Sequence, residues 1–439
     1  MYFYDPTSFY LIGRFIAIIF AVLSILLVYL IAKKIFNKQI ALISALFLAV
    51  SPLHVEHSRL IRPDIMMTFF ILVVLLCSLL IYKRGSLKYY LLAGIFTGMG
   101  IATKYPAALS FIFVILVHLF ISYKRNSTTL INKKIILGFF SVLLGFFICA
   151  PYFFLDFSTA KAQLTLGFSS RFLGAEGSIG MENYIWYLDG PLKEGSGIFI
   201  SIFSLLGFLY SLVRLRNKDT LLLFSFPLIY FIILGLTRVR WDRWAIPILP
   251  FMAIFAALFL VKLINGISYI NKKWHNRKKT LVFISSIILI IQPVFKTLSY
   301  DYLISQKDTR TVAKEWIDEN ITQGSKIAIE EYCPVISRQK YNVFINKDGI
   351  LIKDISERGW KGSIADTESL DSLTKNGIEY VIINKDMYNS YLKEGIRYPD
   401  EIKFYQELFK KVELIKEFKP HSKDKPGPEI GIYRFKWIS

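Results

Sequence analysis

The chain has 439 residues, of which 54% are hydrophobic and 16% aromatic, and its mean hydropathy is +0.45. A soluble globular protein of this length does not carry so large an apolar fraction, so the composition excludes that class. The net charge of +20 would suit a nucleic-acid-binding protein only if the basic residues shared one surface. Their distribution along the chain, described below, excludes nucleic acid as a partner.

Ten apolar segments predict a polytopic α-helical membrane protein, because each is long enough, or nearly long enough, to cross a bilayer. The second and fourth segments are the shortest. The segments cover residues 9–32, 39–53, 65–82, 89–103, 106–123, 135–154, 197–213, 220–236, 244–265 and 280–295. Long apolar runs stop near residue 300, so we expect a transmembrane module at 1–299 and a separate domain at 300–439.

Short segments with alternating polarity replace the apolar runs after residue 300. Residues 309–319 have the periodicity of an amphipathic helix. Segments rich in β-branched and aromatic residues predict strands at 326–330, 380–384, 413–416 and 430–434. About 140 residues are enough for an independent core, so the sequence predicts a C-terminal α/β domain.

Charge is distributed unevenly between the predicted loops. The loops after the first, third, fifth, seventh and ninth spans are rich in Lys and Arg, and Asp219 is their only acid. The other loops carry both signs, and residues 297–439 contain 23 basic and 23 acidic side chains. Because basic loops of membrane proteins stay on the cytoplasmic side, we expect the C-terminal domain to be extracytoplasmic. The same rule places the short N-terminal stub outside.

A polar strip at residues 54–64 interrupts two apolar segments. Charged residues at such a depth face a cavity, pair with one another, or bind a charged ligand. The predicted topology brings the strip to the outer face together with Lys104 and residues 237–244. Arginines and a lysine gathered there suit a lipid phosphate, although local pairs such as Arg62–Asp64 would explain the charges as well. The cations concerned are Arg59, Arg62, Lys104, Arg238, Arg240 and Arg243.

Two other ligands stay open for this face. His54, Glu56, His57 and Asp64 are metal-ligand residue types, but their spacing matches no known site, and a polar helix end explains them equally well. A divalent metal therefore stays open as a cofactor, and the sequence assigns no ligand to it. Several aromatic residues have the flat faces that stack on sugar rings, and an interfacial aromatic belt would contain the same residues. They are Tyr184, Trp186, Tyr187, Trp241 and Trp244.

Three motifs occur in order along the chain. The first is Ser58-Arg59-Leu-Ile-Arg-Pro-Asp64, the second a glycine-rich run from Gly94 to Lys104-Tyr105, and the third Arg243-Trp-Ala-Ile-Pro247. Their order and placement resemble the GT-C glycosyltransferases, and most closely the protein O-mannosyltransferases and the aminoarabinose transferases of lipid A. The first motif is similar to that family's arginine–aspartate signature, and the second to its helix ending in a lysine. The resemblance extends over residues 10 to about 335.

The resemblance implies a GT-C-like membrane fold and a glycosyltransferase of the plasma membrane. Such an enzyme moves a hexosyl or pentosyl group from a polyprenyl-phosphate donor to a protein, lipid or glycan acceptor on the outer face, with inversion expected. Carried over to this chain, it implies that Arg59, Lys104 and Arg243 bind the donor phosphate. Arg62 and Asp64 would support them. A carboxylate would act as the general base on the acceptor.

The start of the chain departs from the family pattern. The family's catalytic aspartate lies in an outer loop after a first span, and both precede the region that matches Gly13-Arg14. We therefore expect an N-terminally incomplete transferase module or a noncatalytic relative, and the catalytic base stays unknown. The other carboxylates expected on the outer face match no motif of the family. They are Glu56, Asp156, Glu176, Glu182 and Asp189.

Two further classes of function stay open from the sequence. A transporter or flippase for a lipid-linked substrate would show inverted repeats, and the sequence shows no internal repeat. A noncatalytic scaffold that presents the outer domain would not require Arg59, Arg62 and Lys104. An oligosaccharyltransferase is disfavoured, because Arg240-Trp-Asp-Arg-Trp244 resembles its Trp-Trp-Asp signature only superficially.

Overall fold

The computed structural model describes residues 7–124, 131–169, 177–213, 218–270, 272–344, 363–366, 369–393, 395, 398–421 and 424–436. These residues form two compact units. The first unit consists of the described residues of 1–160 and 177–297, and the second of those of 161–176 and 298–439. The first unit is helical, whereas the second contains helices and a five-stranded sheet.

The helices that begin before residue 300 are mostly long and apolar. They are α1 (Thr7–Ile35), α2 (Lys38–Ala49), α3 (Pro52–Ser58), α4 (Pro63–Arg84), α5 (Leu87–Thr103), α6 (Ile112–Lys124), α7 (Lys133–Cys149), α8 (Tyr152–Leu155), α9 (Phe157–Ser169), α10 (Met181–Tyr187), α11 (Lys193–Ser196), α12 (Ile198–Leu212), α13 (Lys218–Gly235), α14 (Leu249–Ile270) and α15 (Lys278–Ser305). Shorter turns join some of them. They are 3-10 helices at Tyr105–Phe111, Asp242–Ile248 and Lys272–Arg277, and a π turn at Leu188–Leu192.

Each of the ten predicted apolar segments coincides with helical structure. Within the described ranges, five helical spans are long and apolar enough to cross a membrane, or up to seven if each of two bent pairs is one span. The first bent pair is α2 with α3, at 61°, and the second is Met181–Ser196 with α12, at 115°. The protein is therefore a polytopic helical membrane protein. The total of ten spans stays a prediction.

The first unit has a buried centre and an apolar exterior. Ile65 and Leu72 on α4 and Ile254 on α14 are fully buried. Phe15 on α1 and Phe140 on α7 are exposed, as are many of the apolar side chains that surround them. Contiguous apolar exposure is unfavourable in water but not in lipid, so these faces fit a bilayer environment.

Helices α5 and α7 pack with their backbones in close contact. Gly94 and Gly98 are four residues apart and therefore share one face of α5. A Cβ atom added at Gly98 would overlap the carbonyl oxygen of Val142, and one added at Gly145 would overlap that of Ile95. Small residues at this spacing let membrane helices approach closely. The glycine-rich run of the sequence therefore positions α5, whose C-terminal end leads to Lys104.

Replacing Gly98 by alanine tests this close approach. Because the added methyl group meets backbone rather than a flexible side chain, we expect the G98A variant to lose about 1–3 kcal/mol of stability. Thermal unfolding of the purified protein in detergent measures the loss. The matched control is Gly266→Ala on α14, where no described atom lies within 4 Å of the added Cβ. Equal melting temperatures for the two variants would contradict the packing argument.

The second unit is built on a sheet with strand order β2-β1-β3-β5-β4. The central strand β3 pairs parallel to β1 and antiparallel to β5, while β2 extends the parallel side and β4 the antiparallel side. The strands are β1 (Lys326–Ile329), β2 (Asn342–Phe344), β3 (Tyr380–Asn384), β4 (Val412–Phe418) and β5 (Ile430–Phe435). The helices are α16 (Thr309–Asn320), α17 (Leu370–Lys375), α18 (Lys385–Lys393) and α19 (Pro399–Lys411).

The sheet has a hydrophobic core on each face. One core contains Ala313 and Ile317 of α16, and the other contains Tyr405 and Leu408 of α19. The amphipathic helix at 309–319 and the four predicted strands are confirmed. Strand β2 was not predicted, because three residues are too few to display an alternation.

Glu330 is a buried carboxylate that follows β1. Its Oε2 atom accepts a hydrogen bond of 2.8 Å from the backbone N–H of Asn384, and its Oε1 atom accepts one from the Tyr405 hydroxyl. Burial and the nearby Glu330 charge raise the pKa of Tyr405 well above its usual value, so the hydroxyl stays a donor at neutral pH. The pair joins α19 to the C-terminal ends of β1 and β3.

Removing the Tyr405 hydroxyl should weaken the second unit. In the Tyr405→Phe variant a buried carboxylate oxygen loses its donor, which costs about 1–3 kcal/mol. Hydrogen–deuterium exchange of the β1 and β3 amides should therefore become faster. Tyr388→Phe is the matched control, since the Tyr388 ring packs against Tyr405 without that hydrogen bond to Glu330. Unchanged exchange in the Tyr405 variant would show that the bond contributes nothing.

Candidate functional site

Asp64 lies at the centre of the candidate site. Pro63 begins α4, where a missing N–H is harmless, and a carboxylate in the first turn interacts favourably with the helix dipole. The Asp64 side chain is only 1% exposed, and the Thr68 hydroxyl donates to its backbone carbonyl at 2.8 Å. A buried carboxylate requires charged or hydrogen-bonding partners.

Lys104 provides the shorter of the two ion pairs of Asp64. Its Nζ atom lies 2.5 Å from Asp64 Oδ1. Helix α5 ends here because the extended backbone of Lys104 separates it from the 3-10 helix Tyr105–Phe111, which has Pro106 in its first turn. The Lys104 N–H still bonds to the Gly100 carbonyl at 2.8 Å, while its own backbone is extended. The side chain therefore leaves the end of α5 and reaches the start of α4.

Arg243 approaches the same carboxylate from a third segment. Its Nε atom lies 3.9 Å from Asp64 Oδ2. Residues 237–241, which precede it, are held by contacts to residues 177–187. The backbone N–H of Gly177 donates to the Arg238 carbonyl at 2.8 Å, and the Asn183 side chain donates to the Thr237 carbonyl at 2.5 Å. These bonds fix the start of the 3-10 helix Asp242–Ile248.

Tryptophan rings cover the two cations. Lys104 Nζ lies 5.5 Å from the ring centroid of Trp244, and Arg243 Cζ lies 4.1 Å from that of Trp241. Such cation–π contacts stabilise charged groups that are partly removed from water. The two side chains keep 22% and 20% of their surface exposed, so a ligand can reach both.

The charges at the site sum to a positive surplus. Lys104, Arg243 and Arg62 bring three positive charges, against the negative charges of Asp64 and of Asp242, which also acts on Arg243. Arg62, exposed at the residue before α4, repels both cations electrostatically and so adds to the positive potential. A partly buried cluster of this kind attracts an anion, and lysine with arginine suits phosphate oxygens.

The remaining predicted residues divide between this cluster and other contacts. Arg59 directly follows α3, and its role in phosphate binding stays a prediction. Arg240 pairs with Glu182 at 3.3 Å and lies over the Trp186 ring. Tyr187 is fully buried and therefore unavailable for stacking on a sugar.

The carboxylates expected on the outer face have different environments. Asp189 pairs with Lys193, and Glu182 pairs with Arg240. Hydrogen bonds from the side chain and backbone of Thr159 lower the pKa of Asp156. Glu176 lies outside the described residues. Nothing in these contacts singles out one of the acids as a general base.

The candidate metal ligands regroup in the structure. Asp64 faces Lys104 and Arg243, whereas ligand atoms of Glu56, His57 and Asp242 lie within 4.8 Å of one another. Of the set considered from the sequence, Glu56 and His57 are therefore grouped with Asp242, whereas His54 and Asp64 are not part of this group. Asp242 lies far from Glu56 and His57 along the chain, so spacing alone could not reveal it. The signal available was the run of charged and aromatic residues at 240–244.

The comparisons with known proteins are consistent with the helical membrane fold of the first unit. Residues 11–153 match the sequence profile of the family described as dolichyl-phosphate-mannose-protein mannosyltransferase. A search of curated proteins finds no match. The structure resembles apo ArnT from Cupriavidus metallidurans with a TM-score of 0.52 and 12% identity, covering 95% of this chain and 83% of ArnT. ArnT bound to undecaprenyl phosphate gives the same score and identity over 96% of this chain and 83% of ArnT.

The apo oligosaccharyltransferase of Archaeoglobus fulgidus is also a structural match. It is 15% identical with a TM-score of 0.48, over 86% of this chain. The chain spans 59% of that protein's length. The predicted resemblance to GT-C glycosyltransferases is confirmed by the family profile and by the fold shared with ArnT.

Replacing Asp64 by asparagine should destabilise the first unit. The change removes the carboxylate charge that both Lys104 and Arg243 approach, and breaking a buried ion pair typically costs about 3–5 kcal/mol. Thermal unfolding in detergent measures the effect. Asp189→Asn is the matched control. The Asp189 side chain is 75% exposed, and its ion pair with Lys193 therefore contributes less than about 1 kcal/mol to stability. Similar losses in both variants would contradict a central role for Asp64.

Proposed function

We propose that the protein is a membrane glycosyltransferase that moves a sugar from a polyprenyl-phosphate donor to an acceptor hydroxyl or phosphate. The observation that carries this proposal is the convergence of Lys104 and Arg243 on the buried Asp64. The combined positive charge of Lys104 and Arg243 exceeds the negative charge of the carboxylate. Both cationic side chains remain partly accessible. The mannosyltransferase profile over residues 11–153 supports the reaction type, and the fold shared with ArnT bound to undecaprenyl phosphate supports the donor class.

In the proposed reaction the acceptor oxygen attacks the anomeric carbon of the sugar, and the bond from that carbon to the phosphate oxygen breaks. The polyprenyl phosphate leaves with the bonding electrons, and the acceptor proton passes to a carboxylate base. Attack opposite the leaving group inverts the anomeric configuration. Lys104 and Arg243 stabilise the charge that develops on the phosphate, with Arg59 and Arg62 as further contacts.

Asp64 positions the cations in this proposal and does not act as the base. Its Oδ1 atom is already bonded to Lys104, and the residue is buried, so an acceptor hydroxyl has no route to it. A general base must come within hydrogen-bond reach of the proton it removes. We leave the base unassigned, and protein, lipid and glycan acceptors all fit the proposal.

The proposed topology places the site on the outer face of a plasma membrane. Helix α4 has Asp64 in its first turn and Lys83 and Arg84 in its last. Its 22 residues extend about 33 Å, close to the thickness of the hydrocarbon core. With the basic ends cytoplasmic, the cation cluster faces outward. The proposal includes ten spans in residues 1–299 and an extracytoplasmic domain at 300–439.

Binding of undecaprenyl phosphate to the full chain in lipid nanodiscs tests the donor site. We expect Lys104→Ala and Arg243→Ala each to weaken binding by about 10- to 100-fold, because a hydrogen bond to a charged group contributes about 1.5–3 kcal/mol. Arg59→Ala should weaken it as well. Affinities can be measured by titration with a fluorescent analogue of the lipid.

The matched control is Lys193→Ala, which removes a partly exposed lysine paired with Asp189. It should bind the lipid with wild-type affinity. Wild-type affinity in both the Lys104 and Arg243 variants would refute phosphate binding at this cluster. A loss of equal size in the control would show that binding follows total charge rather than this site.

A further inference from the structure

A second polar cluster lies beside the cation cluster in the first unit. Glu56 and His57 belong to α3, and Asp242 begins the 3-10 helix that carries Arg243. One ligand-type atom from each of the three side chains lies within 4.8 Å of the other two. His57 Nε2 lies 3.8 Å from Asp242 Oδ2.

The His57 ring is the strongest indication that a ligand belongs here. The residue is only 3% exposed, and neither ring nitrogen has a hydrogen-bond partner among the residues that the structure describes. Buried polar atoms in proteins are almost always bonded, and a neutral imidazole always presents one acceptor nitrogen. A cation bound at Nε2 would give this nitrogen a partner. The Asp242 carboxylate does not, because 3.8 Å is too long for a hydrogen bond.

The Asp242 carboxylate is already oriented for such a role. Its Oδ1 atom accepts a 2.7 Å hydrogen bond from the backbone N–H of Arg243, which leaves Oδ2 directed to His57. Ligating carboxylates are commonly held in this way by a hydrogen bond to the other oxygen. The Glu56 carboxylate supplies the second negative charge, so the three groups together match the charge of a divalent cation.

We propose that Glu56, His57 and Asp242 bind a divalent cation through one nitrogen and two oxygen atoms. A mixed imidazole and carboxylate set suits Zn²⁺ best and Mn²⁺ less well. Metal–ligand distances of about 2.0–2.2 Å keep neighbouring ligand atoms roughly 3–4 Å apart, so modest side-chain rotations close the set. Three protein ligands leave at least one coordination position open. The cation would join α3 to the segment that carries Arg243.

The test uses the full chain in detergent, stripped with a chelator and then titrated with Zn²⁺. We expect one saturable Zn²⁺ per chain by mass spectrometry of the metal, and a higher melting temperature in its presence. His57→Gln and Asp242→Asn should each weaken Zn²⁺ binding at least tenfold and abolish the shift in melting temperature. Co²⁺ in place of Zn²⁺ should give an absorption band that the same variants lose.

His421→Gln is the matched control, because it removes an exposed histidine that pairs with Asp424 in the second unit. The His421→Gln variant should keep the Zn²⁺ stoichiometry and the Zn²⁺-dependent shift in melting temperature. Glu56→Gln provides an independent variant should the substitutions at His57 or Asp242 prevent folding, since Glu56 is only partly buried. No saturable Zn²⁺ in the wild type, or the same binding in the wild type and Glu56→Gln, would overturn the proposal. Such a result would leave a His57–Asp242 ion pair as the explanation. Zn²⁺ binding is measured without the lipid donor, so its failure would not refute donor binding at Lys104 and Arg243.

Discussion

The buried charge of Asp64 is the constraint on which the arrangement of the first unit depends. A carboxylate placed in an apolar interior is tolerated only when cations and donors compensate its lost hydration. Its partners come from the end of α5 and from the 3-10 helix at Asp242–Ile248, so the pairing determines where three segments meet. Other contacts hold these segments in place. The glycine contacts with α7 fix α5, and residues 177–187 fix the chain before Arg243.

Compensation of Asp64 also creates the property needed for anion binding. One cation would neutralise the carboxylate, but two converge on it, and Trp241 and Trp244 lie over them. The rings exclude water from one side of each cation, which strengthens electrostatic interaction with a ligand on the open side. Neutralising Asp64 in the folded protein would therefore change two things together, the stability of the helix junction and the geometry offered to a phosphate.

Much of the fold could be predicted because hydrophobic periodicity is a local signal. The apolar segments correspond to helices, and alternation revealed β1, β3, β4 and β5. The site was only partly predictable, because its contacts are long-range. Sequence proximity suggested Arg62 for Asp64, whereas the structure brings Lys104 and Arg243 to it across 40 and 179 positions. The charged residues were visible in the sequence, but spacing carries no information on which of them meet when the connecting helices have unknown packing.

The consecutive residues Asp242 and Arg243 connect the two polar clusters of the first unit. Asp242 faces His57, whereas Arg243 faces Asp64, and the backbone N–H of Arg243 is bonded to the Asp242 carboxylate. A ligand that moves one of the two residues therefore changes the contacts of the other. Coupling between two sites is reciprocal. A cation bound at Asp242 would change the affinity for an anion at Arg243 by a certain factor, and the anion would change the affinity for the cation by the same factor. The sign of this coupling depends on geometry. A cation that draws Asp242 toward His57 also fixes the start of the 3-10 helix. Arg243, once fixed, loses less conformational entropy when it binds a phosphate, so the coupling would be positive.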